Sequence, residues 1–244
     1  MMGDLVLVPK KYRCLSGSGL KILAIVTMII DHIGATFPRS TASVVLHIGQ
    51  KRLMLYTVLR FIGRLSFPIY AFLLVEGFLH THDRERYGIR LAIFAVLSEL
   101  PWNLLHADAW RYGTQNVFFT LLLGYLGLCL TEKIQKEGGK NPKTIFLVIL
   151  TFVVASVLKA DYGSSGYGFI LMLYLLRAQP LFQAVVGACF LTSRWQAGLA
   201  FFPIGLYNGK RGFIRGKAVS LLFYAIYPVH MLILYWIKKN TIGY

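Results

Sequence analysis

The sequence predicts an all-α integral membrane protein, a polytopic helical bundle of about nine (eight to ten) transmembrane helices. The chain of 244 residues is 56% hydrophobic with a mean hydropathy of +0.59, whereas soluble domains are about 45–50% apolar. Only 15% of its residues are charged, against about 25% in soluble domains. The apolar residues also fall into runs, several of which approach the ~20 residues that cross a bilayer.

These runs predict a cytosolic lead-in at residues 1–19, a single transmembrane domain at 20–237 and a short tail at 238–244. The predicted spans cover residues 20–37, 53–79, 88–106, 114–131, 143–158, 168–177, 180–193, 195–207 and 218–237. The second span is long, so we expect it to be tilted or broken. The stretch 39–52 before it is expected to be re-entrant or interfacial.

The formal charge of +16, from 26 Lys and Arg against 10 Asp and Glu, follows the loops between the runs. The loops on the same side of the membrane as the N-terminus carry roughly twice as many basic residues as the loops on the other side. By the positive-inside rule this predicts a cytosolic N-terminus. Topology and contact with the lipid bilayer therefore explain this charge, and no nucleic acid partner is expected. Cys14, Cys129 and Cys189 are widely spaced without a CxxC pair, which predicts free thiols and no metal site.

Asp31 and His32 lie inside the first run, where a charged group costs roughly 2.5–3.5 kcal/mol on insertion scales. An ionisable pair there is a functional-site hypothesis, and imidazole is a common proton acceptor near neutral pH. Alternatively, Asp31 pairs with a membrane-embedded arginine and His32 is a packing residue. Adjacent helical residues point in different directions, so we expect Asp31 to pair with an arginine or with His230 rather than to orient His32.

The second run contains Arg60 and Arg64, which share one helix face and should point into the bundle. Pro68 follows and is expected to kink the helix. In the third run, Glu99 stands just before Pro101, and its expected partner is Arg60 or Arg64.

Depth along the helices relates the histidines. His32 follows Lys21 by 11 residues, or roughly 16 Å, and His230 and Glu99 reach a similar depth in outward-running spans. This spacing does not establish contact, and a satisfied core histidine is the alternative for His230.

The segment YNGKRGFIRGK at 207–217 places four basic side chains among three glycines. Glycines permit close backbone approach and basic groups neutralise phosphate, although an ordinary positive-inside loop would look the same. A buried base, buried arginines and a cytosolic basic loop together suit acyl transfer from a phosphorylated donor. A proton-coupled secondary transporter would use the same buried residues.

Six segments, in order, carry a resemblance: LKILAIVTMIIDHIGATF, RFIGRLSFPIYAFLLVEGFLHT, LSELPWNLL, QNVFFTLLLG, YNGKRG and YPVHMLIL. Together they resemble the TraX family of conjugal-transfer membrane proteins over about residues 20–237. The family's name-giving member acetylates the N-terminal amine of F pilin, so the resemblance implies an acetyl-CoA-dependent acetyltransferase in a bacterial cytoplasmic membrane. The chain is also similar to the wider membrane acyltransferase family three, in which a basic residue stands before a histidine, as in Lys21-x10-His32.

The resemblance implies roles for most of the following residues, and the chemistry of the side chains adds Asp31, Arg60 and Asn116. The catalytic group comprises His32, as base or transient acyl carrier, with Asp31 and His230. Acetyl-CoA would be held by Asn208, Lys210, Arg211 and Lys21, and the site would be supported by Arg60, Arg64, Glu76, Glu99, Asn116 and Tyr227. The expected acceptor is a pilin-like peptide amine, a sugar or a lipid-linked glycan. Neutral His32 would take the acceptor's proton during attack on the thioester, without a metal.

Overall fold

The computed structural model describes residues 7–36, 44–48, 51–139 and 141–242, and these are mostly helical. The helices are α1 (Gly17–Thr36), α2 (Leu55–Gly63), α3 (Ser66–His80), α4 (Arg84–Leu97), α5 (Glu99–Ala107), α6 (Val117–Lys136), α7 (Pro142–Val157), α8 (Gly163–Leu175), α9 (Pro180–Phe190), α10 (Phe201–Gly205) and α11 (Lys217–Ile242), with 3-10 turns at Lys10–Tyr12 and Thr192–Ala200. The exception is an antiparallel hairpin of β1 (Val44–Ile48) and β2 (Lys51–Met54).

Five helical segments are long and apolar enough to cross a membrane, which identifies a multi-pass membrane protein. They are Gly17–Thr36, Leu55–His80, Arg84–Ala107, Val117–Lys136 and Ala218–Thr241. Two further apolar helices, α7 and α9, are shorter. The prediction of a polytopic helical bundle therefore holds in its general form, but within the described ranges five segments, rather than nine, have the length of a span.

The second predicted span is broken, as its length suggested. α2 ends at Gly63 and α3 begins at Ser66, so the break precedes Pro68 by about one turn. Pro68 lies in the first turn of α3, where a missing backbone N–H is tolerated. In the same way Ser98 separates α4 from α5, and Pro101 lies in the first turn of α5.

The stretch expected to be re-entrant or interfacial contains the β1–β2 hairpin, which leads directly into α2. Residues 37–43 and 49–50 of this region lie outside the described residues.

Backbone contacts define the two ends of the bundle. At one end Leu15 forms a parallel bridge with Tyr207, and we call it the basic end because the loop 206–216 lies there. At the opposite, distal end, Gln115 forms a parallel bridge with Ala160. α1 and α11 both start at the basic end and run towards the distal end, so their residues can be compared by depth.

Small residues allow the central helices to approach closely, as is usual where lipid removes the hydrophobic drive between helices. A Cβ added at Gly127 of α6 would lie 2.7 Å from the Tyr167 hydroxyl of α8. A Cβ at Gly166 of α8 would lie 2.6 Å from Thr120 Cγ2 of α6. This close core fixes the positions of the helices that carry the polar residues.

Candidate active site

Two buried histidines from opposite ends of the chain meet inside the bundle. His32 of α1 is 9% exposed and His230 of α11 is 7% exposed. His32 Nδ1 lies 2.8 Å from His230 Nε2. The similar depth inferred from the sequence therefore corresponds to direct contact.

The backbone fixes the direction of this hydrogen bond. His230 Nδ1 lies 2.8 Å from the carbonyl oxygen of Ile226, and a carbonyl oxygen only accepts, so Nδ1 carries the hydrogen. In neutral His230 the Nε2 atom is then an acceptor, and His32 Nδ1–H donates to it. This leaves the lone pair of neutral His32 on Nε2, which makes no hydrogen bond to any described residue. The arrangement makes His32 Nε2 the available base.

Tyr227 packs against both imidazoles. Its ring centroid lies 5.9 Å from that of His32 and 5.6 Å from that of His230, both in edge-to-face geometry. Phe118 of α6 contacts the Tyr227 ring from another side, at 5.2 Å. The predicted supporting role of Tyr227 is thus consistent with its position, since its ring restricts the rotation of both histidines.

Asp31 forms an ion pair with Arg60 of α2. This is one of the two partners expected from the sequence, and Asp31 accordingly does not orient His32. A Cβ at Gly63 would collide with the Asp31 side chain, and a Cβ at Gly34 would lie 2.8 Å from Leu59 Cβ. The two glycines therefore let α1 and α2 approach closely enough to form the pair.

A third histidine, His106 of α5, was not identified from the sequence. Its ring centroid lies 3.8 Å from that of Trp102, and it lies within electrostatic range of His32 and Arg60. Its Nδ1 lies 2.9 Å from the carbonyl oxygen of Trp102. The only sequence signal was its position near the distal end of the third predicted span.

Glu99 and Asn116 form a separate polar contact towards the distal end. Asn116 is fully buried, and its Nδ2 donates to Glu99 Oε2 at 2.7 Å and to the Ala95 carbonyl at 2.8 Å. Its Oδ1 accepts from the backbone N–H of Phe118 and so caps α6. The partner of Glu99 is therefore this amide and not the expected arginine, and Arg60 instead pairs with Asp31.

The loop 206–216, which we call the basic loop, closes over the start of α1. Its carbonyl oxygens at Lys210 and Arg211 accept the backbone N–H groups of Gly17 and Ser18, at 2.8 and 2.9 Å. Gly212 has a φ of +88°, and a Cβ there would lie 2.6 Å from Ser18 Oγ. The first amides of α1 are thus already occupied, so an anion bound here would depend on side chains.

Four cationic side chains gather at this end of α1: Lys21, Lys210, Arg211 and Arg215. The last three are exposed and Lys21 is partly buried, with Arg211 close enough to Lys21 for electrostatic repulsion. None of the four forms an ion pair with a described residue. The positive end of the α1 dipole adds to their potential, which makes this surface attractive to phosphate.

The remaining predicted residues divide between the two regions. Asn208 Oδ1 accepts the backbone N–H of Lys210 at 2.9 Å and shapes the basic loop. Glu76 of α3 interacts with Tyr207 at the basic end rather than with the histidine pair. Arg64 lies at the end of α2, and its guanidinium makes no hydrogen bond or ion pair with a described residue.

α1 connects the two regions. From Lys21 to His32 is 11 residues, or about 16 Å along the helix, and α11 runs beside it from the basic loop to His230. Within the described residues, no group of three or more His, Cys, Asp or Glu side chains is arranged to hold a metal ion.

Comparison with known proteins places this architecture in a family. The family model described as "TraX protein" matches residues 16–238. The chain belongs to the TraX family. It is also 30% identical to the "Probable fimbrial assembly protein FimC, serogroup H1" of Dichelobacter nodosus, over 88% of this chain and 92% of that protein. No solved structure matches. The resemblance read from the six sequence segments is thereby confirmed for TraX.

Proposed function

We propose that this TraX protein is a membrane-embedded, acetyl-CoA-dependent acetyltransferase in which His32 is the base. The observation that carries the proposal is the hydrogen-bond chain from Ile226 through His230, which leaves the His32 Nε2 lone pair available. The basic loop lies at the start of the same helix, at a distance that an extended cofactor arm can bridge.

The donor would bind at the basic end. Lys210, Arg211 and Lys21 lack acidic partners among the described residues, so they can neutralise phosphate, while Asn208 holds the loop in shape. We propose that this end is cytosolic and that the protein lies in a bacterial cytoplasmic membrane, since acetyl-CoA is a cytosolic metabolite. Acetyl-CoA supplies the acetyl group as an activated thioester.

Transfer would be direct. The acceptor's amine or hydroxyl attacks the thioester carbonyl carbon while His32 Nε2 takes its proton. The carbon–sulfur bond then breaks, and the departing thiolate takes the proton from the His32 imidazolium. His230 supports this cycle because its Nε2 accepts from His32 Nδ1–H, which keeps the tautomer and stabilises the positive charge. Protons and electrons balance without a metal.

The acceptor would be a peptide amine, as on a pilin, or a glycan. The relative's printed name, a probable fimbrial assembly protein, supports an acceptor connected with fimbriae. An acyl-histidine intermediate is the alternative to direct transfer.

A proton-coupled transporter is the second candidate. It is favoured by two neighbouring features, the hydrogen-bonded histidine pair and the Asp31–Arg60 ion pair that links α1 to α2. Intramembrane residues of these types also form proton relays. Such a protein would move solute in vesicles without acetyl-CoA.

Thermal stabilisation of the solubilised protein by acetyl-CoA tests the proposal. Ligand that binds the native state raises apparent stability by RT ln(1 + [L]/Kd). We expect a saturable rise in Tm for the wild type that is lost in Lys210→Ala/Arg211→Ala. The matched control is Lys133→Ala/Lys136→Ala, which removes two cations from the basic-end terminus of α6 and should leave the rise intact.

The outcomes separate the hypotheses. If acetyl-CoA still raises the Tm of Lys210→Ala/Arg211→Ala, the donor site lies outside the basic loop. The absence of any rise at millimolar acetyl-CoA would reject the acetyltransferase and favour the transporter.

A further inference from the structure

A cleft at the distal end has no role in the site described so far. It has a volume of about 400 Å³, within the range of small-molecule sites. The lining residues are Glu99, Asn103, Trp110, Arg111, Tyr112 and Gln115. The cleft therefore lies where α5, the loop 108–116 and the start of α6 meet.

Asn103 supplies an unsatisfied acceptor in this lining. The residue is 4% exposed, and its Nδ2 donates to the Trp110 carbonyl oxygen at 2.9 Å. Because that carbonyl only accepts, the amide orientation is fixed and the other atom is Oδ1. Oδ1 is buried and has no hydrogen-bond partner among the described residues. A buried acceptor without a donor is costly, and an O–H or N–H group in the cleft would satisfy it.

The charges of the lining favour a neutral ligand. The Glu99 carboxylate already accepts from Asn116, and Arg111 is among the residues that line the same cleft. One negative and one positive side chain leave little net attraction for a protonated amine. Carboxylate, guanidinium and amide groups together instead offer planar donors and acceptors that suit several hydroxyl groups.

Two aromatic side chains provide flat apolar surfaces beside these polar groups. Trp110 is 81% exposed and Tyr112 is 40% exposed. A pyranose ring presents C–H groups on its faces and hydroxyl groups around its edge, so it fits a lining of aromatic faces and planar polar side chains.

Side-chain contacts also run from the cleft towards the histidine pair. The Tyr112 ring is stacked near that of His106, with centroids 5.5 Å apart, and the His106 ring in turn lies on Trp102, with centroids 3.8 Å apart. On another side, Glu99 accepts from Asn116 at the start of α6, and Phe118 of α6 packs on Tyr227, which packs on His32.

From these contacts we infer that the cleft binds a neutral sugar unit of a glycan acceptor, with Asn103 Oδ1 accepting from a sugar hydroxyl. The inference rests on the proposed function, since it assigns the acceptor of that reaction as a hydroxyl delivered from the distal end.

Tryptophan fluorescence of the full chain in detergent tests it without acetyl-CoA. The probes are chitotetraose and maltotetraose, compared with tetra-alanine carrying a free amine. We expect a saturable change with at least one oligosaccharide, and none with the peptide. Trp110→Ala should abolish the fluorescence change. Calorimetry should show that the same variant binds the oligosaccharide about tenfold more weakly. The control Trp236→Ala removes another exposed tryptophan, from α11 outside the cleft, and should leave binding unchanged.

Asn103→Leu should also weaken oligosaccharide binding about tenfold. If Asn103→Leu fails to fold, Trp110→Ala still tests the cleft, because Trp110 is exposed and its replacement leaves the core intact. Saturation by the peptide alone, or by no probe, would overturn the inference. Sugar binding in a protein that shows no acetyl-CoA stabilisation would keep the cleft and reject the transferase. Acetyl-CoA stabilisation without sugar binding would reject the sugar site in the cleft and keep the transferase.

Discussion

The histidine pair and the basic loop are built in opposite ways. His32 and His230 are buried, and their rings are oriented by a hydrogen-bond chain that runs from His32 Nδ1 to His230 Nε2 and from His230 Nδ1 to the carbonyl oxygen of Ile226. In the basic loop the backbone is tightly bonded to α1, but Lys210 and Arg211 are exposed. The first region has fixed side chains, as a base needs for proton transfer. The second has a fixed backbone and adaptable side chains, which suits a charged ligand that approaches from water.

Removing the base should have the largest effect. We expect His32→Ala to lower the acetyl-transfer rate by about 10²–10⁴-fold, the usual contribution of a general base. The measurement is release of free thiol from acetyl-CoA in the presence of acceptor, with the exposed His82→Ala as control.

His230 sharpens this prediction because it acts through His32. The double variant His32→Ala/His230→Ala should be no slower than His32→Ala alone, since residues that act as a unit are not additive. Full activity of His32→Ala would place the base elsewhere.

Breaking the ion pair should affect stability more than it affects donor binding. Asp31→Asn leaves the Arg60 charge in the bundle, and losing one partner of a buried pair costs about 3–5 kcal/mol. The Arg60 and Asp31 side chains are 22% and 16% exposed, so we expect the lower part of that range, seen as a reduced Tm. Glu132→Gln, which breaks the more exposed pair with Arg84, should lower Tm less, and an equal loss would contradict this account.

The basic loop can be tested through its backbone. Gly212→Ala adds a Cβ at a φ of +88° and against Ser18 Oγ, so we expect about 1–3 kcal/mol of strain and a several-fold weaker acetyl-CoA affinity. Gly216→Ala is a matched control, because its φ is +93° but its Cβ would meet open space. If both variants bind acetyl-CoA alike, the contact with α1 does not shape the donor site.

The smallest effect is expected from Tyr227→Phe. This change keeps the ring that packs on His32 and His230 and removes a hydroxyl that makes no hydrogen bond of good geometry to a described residue. Thermal stability and thiol release should both stay near wild type, whereas Tyr227→Leu should lower the rate because it removes the aromatic contacts. A large loss in Tyr227→Phe would assign the hydroxyl a direct role.

The sequence by itself determined the membrane class, the approximate helices and the cluster of basic residues, because hydropathy, proline position and charge are local properties. Depth along helices even related His32 to His230, since α1 and α11 start at the same end. The number of full spans was not fixed in this way, because short apolar helices such as α7 and α9 have the composition of a span without its length.

Only the tertiary structure decided which polar groups meet. From the sequence, Asp31 had two candidate partners, and an arginine was expected beside Glu99. In the folded chain Asp31 forms an ion pair with Arg60, and Glu99 accepts a hydrogen bond from Asn116. The fold also places His106 within electrostatic range of His32, and it leaves Asn103, which lines the distal cleft, with a buried Oδ1 that has no hydrogen-bond partner among the described residues. These outcomes depend on the rotation of each helix and on close approaches at glycines such as Gly63. Rotation is set by packing among several helices at once, which no single segment of the sequence encodes.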